Sequence, residues 1–205
     1  MADNASGAVI VADVQADFTQ HWNGALAVPG TDARYLEKVV AETREFKSRS
    51  YAIIATRDHH PSDHVSFFTT HPGTNPLDVI VVNGRRQVLW PPHCVQDTPG
   101  ARILLPSDVM TFVISKGMLS NFDSYSAFRD DGGNDTGLQQ VLEQLGVRDV
   151  VVYGLAVDYC VKATALHALE HGYRVKVLLD LSRGVAADTT LGAIREMKAA
   201  GAVID

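Results

Sequence analysis

Thiols are scarce in this 205-residue sequence: Cys94 and Cys160 are its only cysteines. Two cannot build a disulfide scaffold, and reducing surroundings leave both as free thiols. Basic charge is also in deficit, with 18 Lys and Arg against 24 Asp and Glu, a net charge of −6. No run of lysine or arginine tracks a phosphate backbone, which argues against a nucleic-acid partner. Long apolar runs are missing as well; they reach only about half a dozen residues, whereas spanning a bilayer takes roughly 20. Met1 to Gly7 is polar and lacks the basic residues that open a signal peptide, and the apolar stretch behind it is broken by Asp13. These absences together lead to the expectation of a soluble, cytoplasmic protein with no membrane partner. No Gly-x-Gly-x-x-Gly or P-loop pattern occurs, so a bound nucleotide has no support.

What is present has ordinary globular composition, 46% apolar and 20% charged. A chain of this length buries roughly 70% of its unfolded surface and needs neither metal nor disulfide to hold its core. Runs rich in Val and Ile read as buried strands at Val9 to Val11, Ala52 to Ala55, Thr111 to Ile114, Val150 to Tyr153 and Val175 to Leu179, with Val203-Ile204 as a sixth. Helical spacing joins Leu36, Val39, Val40, Thr43 and Phe46, and again Leu138, Val141, Leu142 and Leu145, closing at Gly146. Asp188 reads as the N-cap of a last helix through Leu191, Ile194 and Met197 that stops at Gly201, and Gly172 as the end of one begun near Tyr159.

This alternation predicts an α/β fold: a doubly wound, mostly parallel six-stranded sheet with helices on both faces. The expectation is a single domain over residues 1–205, with 1–7 as a flexible tail. Residues 57–110 break the pattern. They hold all but one of the prolines and most of the histidines, and only Val79 to Val82 could be a strand. Long loops of this kind are commonly functional. Symmetric homo-oligomers are common among enzymes of this size, which makes one the expectation here.

In open parallel sheets ligands bind beyond the carboxyl ends of the strands. The polar residues found there are Asp13, then Arg57 and Asp58, then Lys116, then the turn from Gly154 to Cys160. Cys160 falls where a strand passes through a tight turn into a helix, so backbone N–H groups and the helix dipole favour its thiolate. Lys116 is expected to lower its pKa further. A buried structural thiol is the commoner fate of cysteine, yet Asp13 and Lys116 at equivalent strand ends favour a nucleophile. A carboxylate at Asp13 paired with Lys116 can still accept the thiol proton, provided desolvation raises its basicity. Gly117 suggests a close backbone approach.

A second group is Asp58-His59-His60-Pro61-Ser62-Asp63-His64 with His93 further on. Asp58, His60, His64 and His93 offer one carboxylate and three imidazoles, a set suited to Zn, Fe or Mn with room for water. His59, His71, His167 and His171 read as solvated polar residues, and Asp63 as a turn residue or a partner to a ligand. Phe18 and Trp90 flank these groups, where aromatic faces either sandwich a flat ring or pack the core.

Five segments carry a resemblance: Val11 to Phe18, Asp58 to His64, Trp90-Pro91-Pro92-His93-Cys94, Lys116-Gly117, and Gly154 to Cys160. In this order, over nearly the whole chain from about Ala8, they resemble the nicotinamidases and pyrazinamidases of the isochorismatase-like cysteine hydrolase superfamily. The resemblance implies Asp13, Lys116 and Cys160 as the catalytic triad and Asp58, His60, His64 and His93 as ligands of a divalent metal ion. It implies a cis peptide between Leu155 and Ala156, with the Ala156 and Cys160 N–H groups as the oxyanion hole. Phe18, Trp90, Leu155 and Tyr125 would line the substrate pocket. The implied activity is hydrolysis of nicotinamide to nicotinate and ammonia through a thioester, within NAD salvage, with pyrazinamide as a further substrate. Two departures stand out: His59 lies where many relatives place an aromatic residue, and Met118-Leu119 follow Lys116-Gly117 where a relative can carry one. The competing readings are a related cysteine amidohydrolase acting on another amide or carbamoyl substrate, and a catalytically idle metal-binding protein.

Overall fold

In the computed structural model, which describes residues 7–82 and 84–205, eight strands form two sheets. They are β1 (Gly7–Ala12), β2 (Tyr51–Asp58), β3 (Val79–Val82), β4 (Arg85–Val88), β5 (Phe112–Lys116), β6 (Asp149–Gly154), β7 (Arg174–Val177) and β8 (Val203–Ile204). Residues 1–6 of the expected tail lie outside the described residues, and Gly7 already belongs to β1. The main sheet has the order β5-β2-β1-β6-β7-β8, and every neighbouring pair in it is parallel. The predicted strand at Val79 pairs antiparallel with β4 in a separate ribbon. β4, with the sequence Arg-Arg-Gln-Val, is too polar to have been read as a strand.

Alternation along β1 shows how both faces are covered. Ala8, Ile10 and Ala12 pack with α2 (Leu138–Gln144), α3 (Lys162–Glu170) and α4 (Ala187–Ala199), while Val9 and Val11 pack with Tyr35 and Val39 of α1 (Ala33–Ser48). The chain leaves β1 for β2 on one side and returns to β6 on the other, so the sheet order reverses about β1 and a crevice opens at the carboxyl ends there.

Several strand ends differ from the apolar runs. β2 and β5 continue past Ala55 and Ile114 to Asp58 and Lys116, which lie opposite each other in register. Charged residues extend these buried strands because they neutralise one another. β7 stops at Val177, and Leu179–Leu181 forms a 3-10 turn instead.

Two glycines admit close approaches. At Gly154 (φ 124°) a Cβ would sit 2.2 Å from the Ala12 carbonyl oxygen, and at Gly117 (φ 62°) one would sit 2.3 Å from His60 Cε1. The chain crosses Leu155-Ala156 by a cis peptide bond. It then makes one π turn, Val157–Val161, in which the Val161 N–H donates to the Ala156 carbonyl at 3.1 Å. Cys160 sits inside that turn. Asp188 is not the N-cap of α4; it lies in the first turn, and the capping position is Ala186. The capping carboxylate comes from Asp158, which accepts from the Val185 and Ala186 N–H groups at 3.0 and 3.2 Å and from Thr189 Oγ1 at 2.6 Å. A residue 28 positions away in sequence thus supplies what the local letters offered at Asp188. Among the described residues, no helix is long and apolar enough to cross a membrane.

Asp158→Ala removes the acceptor of the Val185 and Ala186 N–H groups and uncaps α4, which should cost about 2 kcal/mol. Calorimetry should then show Tm lower by roughly 4–8 °C; an unchanged Tm would rule out this cap.

Candidate active site

Lys116, 2% exposed, places its ammonium between two carboxylates. Nζ lies 3.0 Å from Asp13 Oδ2 and donates to Asp58 Oδ1, to the Ser124 carbonyl at 2.8 Å and to Cys160 Sγ at 3.4 Å. Burial works against its charge, but Asp13 and Asp58 outweigh burial and hold its pKa well above that of an ordinary lysine. Asp13 stands just beyond β1 with φ 47°. Thr56 fixes it twice, accepting from the Asp13 N–H at 3.1 Å and donating to Oδ1 at 2.6 Å. Oδ2 takes no well-directed hydrogen bond despite its ion pair, and an Asp13 carboxylate oxygen lies within 4.8 Å of Cys160 Sγ. Burial raises the Asp13 carboxyl against the pull of Lys116, as its expected basicity requires.

The thiol differs from expectation. Burial pushes Cys160 well above the usual cysteine value, and Lys116 only partly offsets this. Its resting form is therefore the neutral thiol, because desolvation of the sulfur outweighs the favourable turn and the nearby ammonium.

On the other side of Asp58, the ligand atoms of Asp58, His60 and His93 all lie within 4.8 Å of one another. His60 Nδ1 is 2.8 Å from the Gly117 carbonyl oxygen and His93 Nδ1 is 2.8 Å from that of Pro91. Carbonyls only accept, so both Nδ1 atoms carry hydrogen and both Nε2 atoms turn toward Asp58 Oδ2, at 3.5 and 3.9 Å. Burial and His60 lower His93 to about 4. Burial opposes ionisation of Asp58, but Lys116 and His60 prevail and keep it well below the carboxylate range. His64 lies against His60, ring centroids 4.0 Å apart and planes tilted by 32°, but faces elsewhere. Its Nε2 is 3.1 Å from the Phe122 carbonyl oxygen and its Nδ1 2.7 Å from Ser66 Oγ. His64 joins His60 and Asp123 in a second group of possible ligands.

Of the adjacent histidines, His60 enters the cluster. His59 does not; its Nδ1 is buried without a hydrogen-bond partner. Asp63 is exposed in a turn. His71 and His167 are bonded rather than solvated, to the Val65 carbonyl and to Ser126 Oγ, each at 2.8 Å. Arg57 donates to Ser115 Oγ at 2.9 Å.

The cavity above these groups is small, with a volume of about 40 Å³. Phe18, Trp90, Tyr125, Leu155 and Ala156 line it together with Cys160, Asp58 and His93. Lys116 and Asp13 lie beneath. Trp90 donates Nε1–H to Tyr125 Oη at 3.1 Å, and Tyr159 packs edge-on to Trp90 with centroids 5.0 Å apart. Sequence reasoning missed Tyr159, Leu26, Val28 and Val185 in this lining. It also missed Gln15, whose amide accepts from the Asp58 N–H at 2.7 Å and donates to the carbonyls of Asp58 and Ala101 at 2.8 and 2.9 Å. Tyr159 could have been found beside Cys160. The others are ordinary residues whose role comes only from contact.

The family model described as the isochorismatase domain matches residues 7–205. A nicotinamidase of Escherichia coli is 40% identical over 203 residues, covering 96% of this chain and 93% of its own. The pyrazinamidase of Pyrococcus horikoshii, solved in complex with zinc, is 38% identical with a TM-score of 0.80, covering 97% of this chain and 98% of that one. A protein of L. infantum, PnC1, solved in complex with nicotinate, is 35% identical with a TM-score of 0.83, covering 99% and 93%. The same fold, matched from end to end, is thus shared with enzymes of one hydrolase group, and the chain belongs to the isochorismatase family, alongside the nicotinamidases and pyrazinamidases.

Proposed function

We propose that the protein hydrolyses nicotinamide to nicotinate and ammonia through a thioester on Cys160. The observation that carries this reading is a thiol, an ammonium and a carboxylate meeting beneath a cavity walled by aromatic rings. A flat heteroaromatic amide fits such walls, Phe18 and Trp90 supplying ring faces. Pyrazinamide, of similar shape, is a second substrate on this reading.

Asp13 takes the proton from Cys160 as Sγ attacks the carboxamide carbon. Lys116, held charged, stabilises the sulfur anion as it forms. The N–H groups of Ala156 and Cys160 receive the developing oxyanion. Asp13 then gives its proton to the departing ammonia, and the thioester carbon is left bonded to Sγ. Water, deprotonated by Asp13, opens that bond; nicotinate leaves and the proton returns to sulfur. The neutral resting thiol suits this sequence, because the raised basicity of Asp13 is used only once substrate is in place.

The centre beside the thiol fits a divalent cation. Two buried carboxylates share one ammonium, and the Nε2 atoms of His60 and His93, whose Nδ1–H groups are held by carbonyls, face the same carboxylate oxygen and would offer lone pairs to a cation. Asp58, His60 and His93 would hold zinc, iron or manganese, with His64 packed behind His60. A bound ion would supply a template for the substrate's ring nitrogen and for water, with some Lewis-acid help.

Cys160→Ala should lower ammonia release by about 10⁴-fold or more; near-normal release would defeat the nucleophile assignment, and a panel of non-aromatic amides run alongside tests the substrate. Dialysis against a chelator should abolish most activity, with zinc, iron or manganese restoring it, and an undiminished rate in rigorously metal-free protein would refute a required ion. Gly117→Ala forces His60 from its place, so equilibrium dialysis should show metal affinity weaker by roughly 10–100-fold. Unaltered affinity would remove His60 from the centre.

A further inference from the structure

Arg183 makes an unusual set of contacts for a charged residue. Among the described residues no carboxylate pairs with it, and its half-buried guanidinium donates to main-chain carbonyls instead. Nε–H donates to the Gly30 oxygen at 3.2 Å, and Nη1 to those of Ser182 and Asp180 at 2.6 and 3.3 Å. The guanidinium carbon lies 4.9 Å from the Tyr35 ring centroid, and the Tyr35 hydroxyl donates to the Leu181 carbonyl at 3.2 Å. At Gly30 (φ 77°) a Cβ would lie 3.2 Å from Arg183 Nε, so the bare backbone lets the arginine close in.

The main chain of Arg183 meets the opposite wall. Its N–H donates to the Gly154 carbonyl at 3.3 Å and its carbonyl accepts from the Val157 N–H at 2.9 Å. These two bonds bracket the Leu155-Ala156 peptide. Backbone and side chain therefore join two segments: the nucleophile turn, and the loop whose Leu26 and Val28 line the cavity. Val185, two residues on, lines the same cavity.

We propose that Arg183 is a positioning residue for substrate binding, a strut that sets the distance between the Leu26–Val28 loop and the nucleophile turn. This rests on the amide-hydrolase reading above. Gly30 is exposed, so water replaces the arginine there, while the carbonyl of buried Ser182 loses a partner, a local cost that leaves the fold in place. The backbone bonds to Gly154 and Val157 survive any side-chain change, so the turn carrying Cys160 keeps its shape. Removing the guanidinium loosens the loop side of the cavity and spares the chemistry. The effect therefore falls on KM rather than kcat, and amides carrying an extra ring substituent lose less than nicotinamide does.

The test compares Arg183→Ala and Arg183→Gln with the parent, using steady-state kinetics on nicotinamide and hydrogen exchange on the protein without substrate. Expected is a KM about fivefold higher with kcat within about twofold, and faster exchange confined to residues 24–30. Glutamine, which keeps one donor and part of the stem, should fall between and serves alone if the alanine variant does not fold. Unchanged KM and exchange would overturn the strut, as would a fall in kcat with exchange rising throughout the chain. If the parent released no ammonia from nicotinamide while exchange still quickened only at 24–30, the hydrolase reading would fail and the strut would stand.

Discussion

A buried ammonium without partners costs several kcal/mol or more, so the position of Lys116 is tolerable only because Asp13 and Asp58 reach it. Those two acids come from the ends of β1 and β2, and Lys116 ends β5. Three adjacent strands, β5, β2 and β1, are thereby locked at their carboxyl ends by one charge. The same charge touches the Cys160 thiol at 3.4 Å, which brings in the end of β6. Removing the ammonium would leave two carboxylates facing each other out of water, a worse state than the loss of one ion pair. Fold and site thus share a single electrostatic constraint.

The topology makes that constraint possible. Because the sheet order reverses about β1, the residue after β1 and the turn after β6 become neighbours although well over a hundred residues separate them. Small residues then permit the approach: Gly154 against β1, Gly117 against His60. Gln15 adds a clamp of its own, pairing with both main-chain groups of Asp58 much as another strand would. Asp58 is consequently fixed through its backbone on one side and its carboxylate on the other.

Much of this was legible in the letters. Val- and Ile-rich runs marked the strands, and the polar residue after each run marked the crevice, because a parallel sheet must bury its faces and can expose chemistry only at its ends. The ring directions were not legible. His60 and His64 have equal chemistry, and only the Gly117 and Phe122 carbonyls decide which nitrogen faces which way. The protonation of Cys160 is not legible either, because the sequence shows a lysine and a helix start but not the burial of the thiol that raises its pKa. Asp158, Arg183 and Gln15 escaped notice since each acts through main-chain groups of distant segments, which leave no mark on local spacing. Asp188 drew attention as a cap for the same reason: its neighbours suited the role, and the true acceptor lay elsewhere in the chain.

Asp58 belongs to both halves of the site, and this sharing has a chemical consequence. One carboxylate oxygen takes the Lys116 proton donor, and the other faces the Nε2 atoms of His60 and His93. Charge placed among the histidines draws on the same carboxylate that steadies Lys116, and so alters how strongly Lys116 pulls on Asp13 and on Cys160. The cation centre and the nucleophile are therefore not independent modules set side by side. A variant at Asp58 that preserved its volume but not its charge would disturb both together, whereas variants at His93 would reach the thiol only through Asp58. The distances of the resting site couple the imidazoles to Asp58, and Asp58 to the sulfur both directly and through Lys116.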